Sequence, residues 1–500
     1  MGFYVTTPIY YVNGDPHLGH AYSTMAADVL ARHMRQRGED VFFLTGTDEH
    51  GEPIELAAER EGITPQELAD RNAPKFEAMA GRVQATNDFF IRTSDPRHEA
   101  KVAEIMQLVH DNGHVYEGTY EGWYCPRCAD FKTERELGPG NTCPIHEIPL
   151  EREKEENWFF RLSSFQEQLE DLYERRPDFV VPEFRRNEAV SFIKQGLEDV
   201  SLSRARLKWG MELPWDRSQR MYVWFDALLN YVTALSFARE GEDLTDRFWP
   251  FAFHLLAKDI LKFHAVIWPA LLLAAGLEPP RGMVIHGYLL MGEKKMSKSL
   301  GNVLDPDEVI DRFGADALRY YCFREVSFGQ DGSVSAAGFE ARYETELANE
   351  YGNLASRTLA MIDRYRDGVV PEAAPDPELA PAFEGVAERV RELLDQSELS
   401  QALEEIWKLV RRLNQYVEES RPWDLAKQDD QKRLDAVLYN LAEGLRVTSL
   451  LLVPYLPAST ELLLDALAEP GREFAELGSR GGGQRVERIA PLFPKVEAGA

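Results

Sequence analysis

The sequence predicts an α/β protein in which an inserted segment splits a doubly wound parallel sheet and an α-helix bundle follows. Three observations predict it. A β-α-β-α-β alternation fills residues 1–112. It lapses over 113–214, a stretch of short strands, turns and cysteines, and resumes over 215–292. From Tyr343 the chain is helical, with 3.6-residue periodicity almost to Ala468.

The elements follow in order. Phe3 to Tyr10 is apolar and β-branched and reads as a buried strand, and Asn13-Gly14-Asp15-Pro16 as a turn. Leu18 to about Arg37 is helical and stops at Gly38. Val41 to Leu44 is a second strand, followed by Gly46-Thr47-Asp48-Glu49-His50-Gly51. A helix from Thr64 to Arg82, a strand from Asp88 to Arg92 and a helix from Pro96 to Val109 complete the first half. In the second half, Phe251–Leu256 and Met283–His286 are apolar and flank a helix over Asp259–Ala275. Residues 293–342 form a linking region. The bundle, 343–500, has helices over Tyr343–Tyr365, Pro381–Asp395, Leu399–Glu419 and Gln431–Val453. Ligands of such a sheet sit at the carboxyl ends of its strands, where the turn after the first strand and Asp48 both fall.

Composition narrows the function. The 500 residues are 44% hydrophobic and 11% aromatic, enough for several cores. The net charge of -28 excludes a protein coated in basic surface. An RNA partner must then be met on a restricted face, and no DNA partner is expected. No apolar run approaches the roughly 18 residues of a membrane span, so no membrane partner is expected. The start MGFYVTTPIYYVNG lacks a basic segment followed by a long apolar run, so no secretory leader is expected. Of the four cysteines, Cys125, Cys128 and Cys143 fall close together, which points to metal in a reducing, cytoplasmic compartment.

Two distant segments are suited to phosphate, although taken singly the first also reads as ordinary helix capping and the second as a solvated basic loop. Pro16-His17-Leu18-Gly19-His20 opens a helix after a strand. Unpaired N–H groups and a partial positive charge suit that position to an anion. Gly19 lets a nucleotide approach the backbone, and His17 and His20, three apart, share a face. Lys295-Met296-Ser297-Lys298-Ser299 places two mobile cations among small residues. Together and in this order they resemble the HIGH and KMSKS signatures of class I aminoacyl-tRNA synthetases, here HLGH and KMSKS. The resemblance covers nearly the whole chain and implies a split Rossmann-type fold. It also implies ATP binding by His17, Gly19, His20, Lys295, Ser297, Lys298 and Ser299, with Mg²⁺ shielding the polyphosphate. His17, His20, Lys295 and Lys298 are the implied catalytic residues, stabilising charge in the transition state.

Tyr10-Tyr11-Val12-Asn13-Gly14, the Gly46–Gly51 segment, Tyr222-Val223-Trp224-Phe225-Asp226-Ala227, Lys258-Asp259-Ile260 with Phe263-His264, and Val284–Tyr288 resemble the methionyl-tRNA synthetase family more closely than its relatives. That resemblance implies L-methionine as substrate. Its side chain would lie among Ile9, Tyr11, Trp224, Ala227, Tyr231, Ile260 and His264, where a polarizable thioether favours aromatic neighbours. Asp48 would bind the ammonium, Arg204 would lie near the reacting groups, and Asp259 and Glu212 near the ATP ribose and the amino-acid end. Leu228 departs from the family, many members of which have proline there.

Cys125-Pro126-Arg127-Cys128 and Cys143-Pro144-Ile145-His146 are two knuckles that supply three thiolates and an imidazole, a closed tetrahedral set for one structural Zn²⁺. Many relatives have a fourth cysteine where His146 stands. In the bundle, Asn353 and Arg357 share a helix face, and Pro422-Trp423 offers a stacking platform. The resemblance implies that these four read the anticodon of tRNA(Met). The alternatives are another class I synthetase such as a cysteinyl enzyme, and a non-catalytic tRNA-binding relative.

Overall fold

The computed structural model describes residues 2–125, 130–132, 134–145, 147–290, 304–428 and 430–495. It is a mixed α/β protein with a parallel sheet and many helices. The chain forms two compact units. The first comprises Met1–Pro16, Val41–Gly81 and Asn87–His286; the second comprises His17–Asp40, Arg82–Thr86 and Gly287–Ala500.

The first unit holds a seven-stranded sheet. Its strands are β1 (Gly2–Thr6), β2 (Tyr10–Tyr11), β3 (Asp40–Asp48), β4 (Phe89–Arg92), β5 (Val180–Val181), β6 (Ala252–Ala257) and β7 (Gly282–His286). The path runs β2-β3-β1-β6-β7-β5, and β4 pairs with β3. Registers Tyr10↔Thr47, Leu44↔Phe89, Tyr4↔Ala252, Phe253↔Gly282 and Met283↔Val180 are all parallel. Two departures from expectation have local causes. The strand expected over 3–10 is two strands, because Pro8 has no N–H for a ladder. Thr7, just before it, still donates its N–H to Leu44 O at 3.1 Å. Strand β3 runs on to Asp48 rather than ending at Leu44. Gly46 permits this, since a Cβ there would stand 2.1 Å from Ile91 O on the neighbouring strand.

The stretch 113–214 contains an antiparallel sheet ordered Asp130–Lys132, Val115–Cys125, Glu151–Phe160, Val200–Ser201. The same stretch contributes β5 to the parallel sheet and two helices, Gln166–Arg175 and Glu183–Lys194. The helix expected over Asp259–Ala275 is not uniform. A 3₁₀ turn at Lys258–Ile260 precedes a π segment, Phe263–Ile267, and then an α-helix, Trp268–Ala274. Pro269 explains the wide turn: it lacks an N–H, and its ring excludes the carbonyl four residues back from the α position.

In the second unit, helix α1 (Leu18–Gln36) is buried along most of its length. Its Tyr22 packs on Phe323 and Phe328, and Gln36 donates to Leu450 O at 2.7 Å. Midway, fully buried Asp28 pairs with fully buried Arg319 at 2.7 Å, and Arg319 also donates to Val83 O, Pro454 O and Tyr455 O. Such a pair is tolerated because its remaining donors and acceptors are satisfied. Helices Leu399–Ser420 and Gln431–Leu452 follow expectation closely, whereas the helix expected over Pro381–Asp395 is broken at Gly385, in the left-handed region at φ 66°, into Ala380–Phe383 and Val386–Asp395. The helix expected over 343–365 opens with a π segment, Tyr343–Gly352, before turning α over Asn353–Arg366.

Candidate active site

At the carboxyl ends of β2 and β3, residues expected to hold an amino acid come together in the first unit. Tyr231, from the helix Val223–Thr233, lies 2.9 Å from His264, from the π segment. His264 Nδ1 is 3.1 Å from Ile260 O. A carbonyl only accepts, so Nδ1 carries the hydrogen and Nε2 accepts from the Tyr231 hydroxyl. Burial lowers the His264 pKa to about 4, so the ring is neutral. Behind it, Trp268 Nε1 donates to His254 Nε2 at 3.1 Å, leaving His254 Nδ1–H to donate to Thr6 at 2.9 Å. Trp224 is half-buried, stacked on Phe263 at 3.9 Å and edge-on to His264 at 6.1 Å. Ala227 is buried on the same helix; Ile9, Tyr11 and Ile260 are half-buried against the same core. Asp259 is exposed, at the start of the 3₁₀ turn.

Asp48 ends β3 and is buried. Burial, and then the neighbouring Asp226 carboxylate, push its pKa well up. A carboxyl so placed needs a cation to ionise. The loop after it is rigidly held. Glu49 receives Arg92 at 2.7 and 2.9 Å, Thr47 at 2.7 Å, and Ser94. Trp209 Nε1 donates to Glu49 O at 2.6 Å. Arg204 is buried, donates to Ser201 and Ser203 at 2.9–3.3 Å, and lies 4.0 Å over the Tyr222 ring.

In the second unit, His17 is the N-cap of α1 and forms a capping box with His20. His17 Nδ1 accepts from Gly19 N, and His20 Nδ1 accepts from His17 N, each at 3.1 Å. The rings stack at 3.7 Å. Burial lowers both pKa values, that of His20 to about 3 with His17 contributing. With Nδ1 spent as an acceptor, each neutral ring carries its hydrogen on Nε2 and is a fixed donor. Lys295, Ser297, Lys298 and Ser299 lie outside the described residues.

Of the expected metal ligands, Cys125 and Cys143 are buried together with Leu150, under Trp123, Leu137 and Ile148. Cys128 and His146 lie outside the described residues. Among the described residues no group of three or more possible ligands converges.

Arg357 is central to the expected RNA-reading group in the second unit. Its guanidinium sits 5.7 Å over the Trp423 ring and donates to Glu418 at 2.8 Å. Pro422 is buried at the first position of its helix, after Arg421 in the left-handed region at φ 46°. Asn353 is exposed one turn before Arg357.

Sequence reasoning missed the buried set His50, His98 and Asp226. Its signal was a carboxylate inside an otherwise apolar helix, in Val223–Thr233.

A parallel α/β sheet with a histidine-capped helix and helical C-terminal elements places the chain among the class I tRNA synthetases. More narrowly, the chain belongs to the family described as tRNA synthetases class I (M), whose model matches residues 3–149 and 140–359. It is 44% identical to the methionine–tRNA ligase of Caldanaerobacter subterraneus subsp. tengcongensis, over 99% of this chain and 79% of that protein. It is also 44% identical to the methionine–tRNA ligase of Streptomyces coelicolor, over 99% and 97%. A solved Mycobacterium tuberculosis methionyl-tRNA synthetase in complex with methionyl-adenylate is similar at a TM-score of 0.94 and 40% identity, covering 99% of this chain and 100% of that one.

Proposed function

We propose that this chain is a methionine–tRNA ligase. It activates L-methionine with ATP to methionyl-adenylate and pyrophosphate, then transfers methionyl to the terminal adenosine of tRNA(Met) and releases AMP. The observation that carries the reading is the buried Asp48 carboxyl at a strand end, within electrostatic reach of Tyr231, which with His264 and Trp224 forms an aromatic set suited to a thioether. The relatives named methionine–tRNA ligase, matched over 99% of this chain, support it.

The chemistry needs no protein nucleophile. The methionine carboxylate oxygen attacks the α-phosphorus as the bond to the pyrophosphate oxygen breaks; later the ribose hydroxyl oxygen attacks the carbonyl and AMP leaves. The protein positions reactants and neutralises charge. The ammonium supplies the cation that lets Asp48 ionise. Ile9, Tyr11, Ala227 and Ile260 line the side chain, Asp259 lies toward the reacting end, and Arg204 adds a fixed positive charge. His17 and His20 offer neutral Nε2–H donors to phosphate oxygens, and Gly19 permits close approach. Lys295, Ser297, Lys298 and Ser299 would clamp the polyphosphate, which Mg²⁺ shields when bound. Buried Cys125 and Cys143 suit a thiophilic ion, so they would hold structural Zn²⁺ with Cys128 and His146. Asn353, Arg357, Pro422 and Trp423 would read the anticodon. On this reading 1–112 and 215–292 form the catalytic domain, 113–214 the connective insertion, 293–342 the stem-contact region and 343–500 the anticodon-binding bundle. The setting is the cytoplasm. No described helix is long and apolar enough to cross a membrane.

ATP–pyrophosphate exchange with a panel of amino acids tests this. Exchange with methionine is expected. Exchange with cysteine alone would favour a cysteinyl enzyme, and none with any amino acid a non-catalytic relative.

A further inference from the structure

Beneath Asp48 lies a set of ionisable side chains that the proposed chemistry does not use. His50 follows Asp48 by two residues and is buried. Its backbone N–H donates to Asp48 Oδ1 at 3.4 Å. Its Nδ1 lies 2.5 Å from Asp226 Oδ2, and its Nε2 3.5 Å from Glu99 Oε1. The ring packs edge-on against Trp209. Asp226 is fully buried, and its other oxygen receives His98 Nε2 at 2.8 Å. His98, also fully buried, is anchored to Thr233 at 2.7 Å.

Three elements meet at this one carboxylate: the loop after Asp48 that bears His50, the helix Pro96–Asp111 that bears His98 and Glu99, and the helix Val223–Thr233. The last also bears Trp224, Ala227 and Tyr231. A buried ion pair of this kind holds its partners in one geometry, because any separation leaves a charge uncompensated in a dry interior. Asp48 gains in two ways: a fixed N–H donor, and a nearby imidazolium that offsets the repulsion from Asp226.

We propose that His50 and Asp226 are positioning residues for amino-acid binding, holding Asp48 in place for the substrate ammonium and fixing it relative to the helix that walls the side chain. The inference rests on the methionine-activating reading above. The charges facing His50 are consistent with it. Asp226, Glu99 and Asp48 surround the ring and raise its pKa to about 10 against the effect of burial. The His50 imidazolium, with His98, in turn holds Asp226 at about 2 although burial alone would raise it. Glu49, the other acid on the loop, is taken up by Arg92.

The test uses His50→Gln and Asp226→Asn in the full chain, with the folded state checked by thermal melting. Two probes inhibit methionine-dependent exchange: L-methioninol, which keeps the ammonium and lacks the carboxylate, and 4-(methylthio)butanoate, which lacks the ammonium. The expected result in either folded variant is about a tenfold weakening of methioninol, with the butanoate held within about twofold. The double variant should be weakened by less than the product of the two single effects, since both substitutions break the His50–Asp226 contact. Equal weakening of both probes would show a collapsed side-chain setting and overturn the proposal, as would no weakening of either. A wild-type protein that did not exchange with methionine would instead remove the reading on which the proposal rests.

Discussion

Tyr231 donates its phenolic hydrogen to Nε2 of His264, 2.9 Å away, because Nδ1 of that ring is already spent on the carbonyl of Ile260. The direction of this bond follows from the carbonyl alone. Tyr231→Phe therefore strands a buried acceptor. It should cost about 1–3 kcal/mol of stability in chemical denaturation and raise the KM for methionine. An unchanged unfolding midpoint would refute the assignment.

The neutral His264 also makes stability depend on pH. Burial depresses its folded pKa to about 4. The unfolded ring, at about 6.5, then binds protons more readily than the folded one. Stability contributed by the neutral ring is fully present above about pH 6.5 and is lost as pH falls toward 4. The loss is on the order of 3 kcal/mol at most. His264→Gln should flatten that part of the urea-midpoint curve relative to wild type; parallel curves would contradict the prediction.

His17 caps α1 and, on the proposed reading, also contacts ATP; substitution separates the two. His17→Ala should cost about 1 kcal/mol through the lost cap. It should also slow adenylate formation by roughly 10²–10³. His17→Asn restores a capping side chain and hence the stability, but not the donor geometry of the imidazole. Recovery of the full rate by asparagine would reduce His17 to a cap.

Much of the fold was legible because periodicity follows burial. Strands β4, β6 and β7 and helix α1 lie where apolar pattern and punctuation put them, and β3 begins where expected. The misses are places where one residue overrides the pattern. Pro8 cuts a strand, and Pro269 widens the turn before it. The helix Glu52–Glu61, enclosed by Gly51 and Gly62, is mostly polar at the surface and showed no clear apolar stripe. Side-chain chemistry was legible only where a short segment carried it. Asp48 and His17 stand in motifs, but His98 and Asp226 meet across 128 residues and nothing in the sequence pairs them.

On the second unit the Arg357 guanidinium lies over the Trp423 ring. Trp423→Ala should weaken tRNA charging by about 1–3 kcal/mol while leaving pyrophosphate exchange intact. Equal loss of both activities would make the tryptophan structural.

Metal analysis should find about one zinc per folded chain, and prolonged chelation should destabilise the region around Cys125 and Cys143. Active, folded protein with no zinc would remove the knuckle.

The Asp28–Arg319 pair has a consequence for how the protein is made. Helix α1 leaves the ribosome well before Arg319, the buried cation at its centre, which follows roughly 290 residues later, about 15–60 s at ordinary elongation rates. Pro454 and Tyr455, whose carbonyls hold that cation in place, arrive later still. Until then Asp28 has Arg32, one turn on in the same helix, as its cation, and the apolar face of α1 lacks Phe323, Phe328 and Leu450, a nascent segment suited to chaperone capture. A release of chain at residue 290 should yield a fragment that contains every strand of the parallel sheet but does not fold to a protease-resistant state.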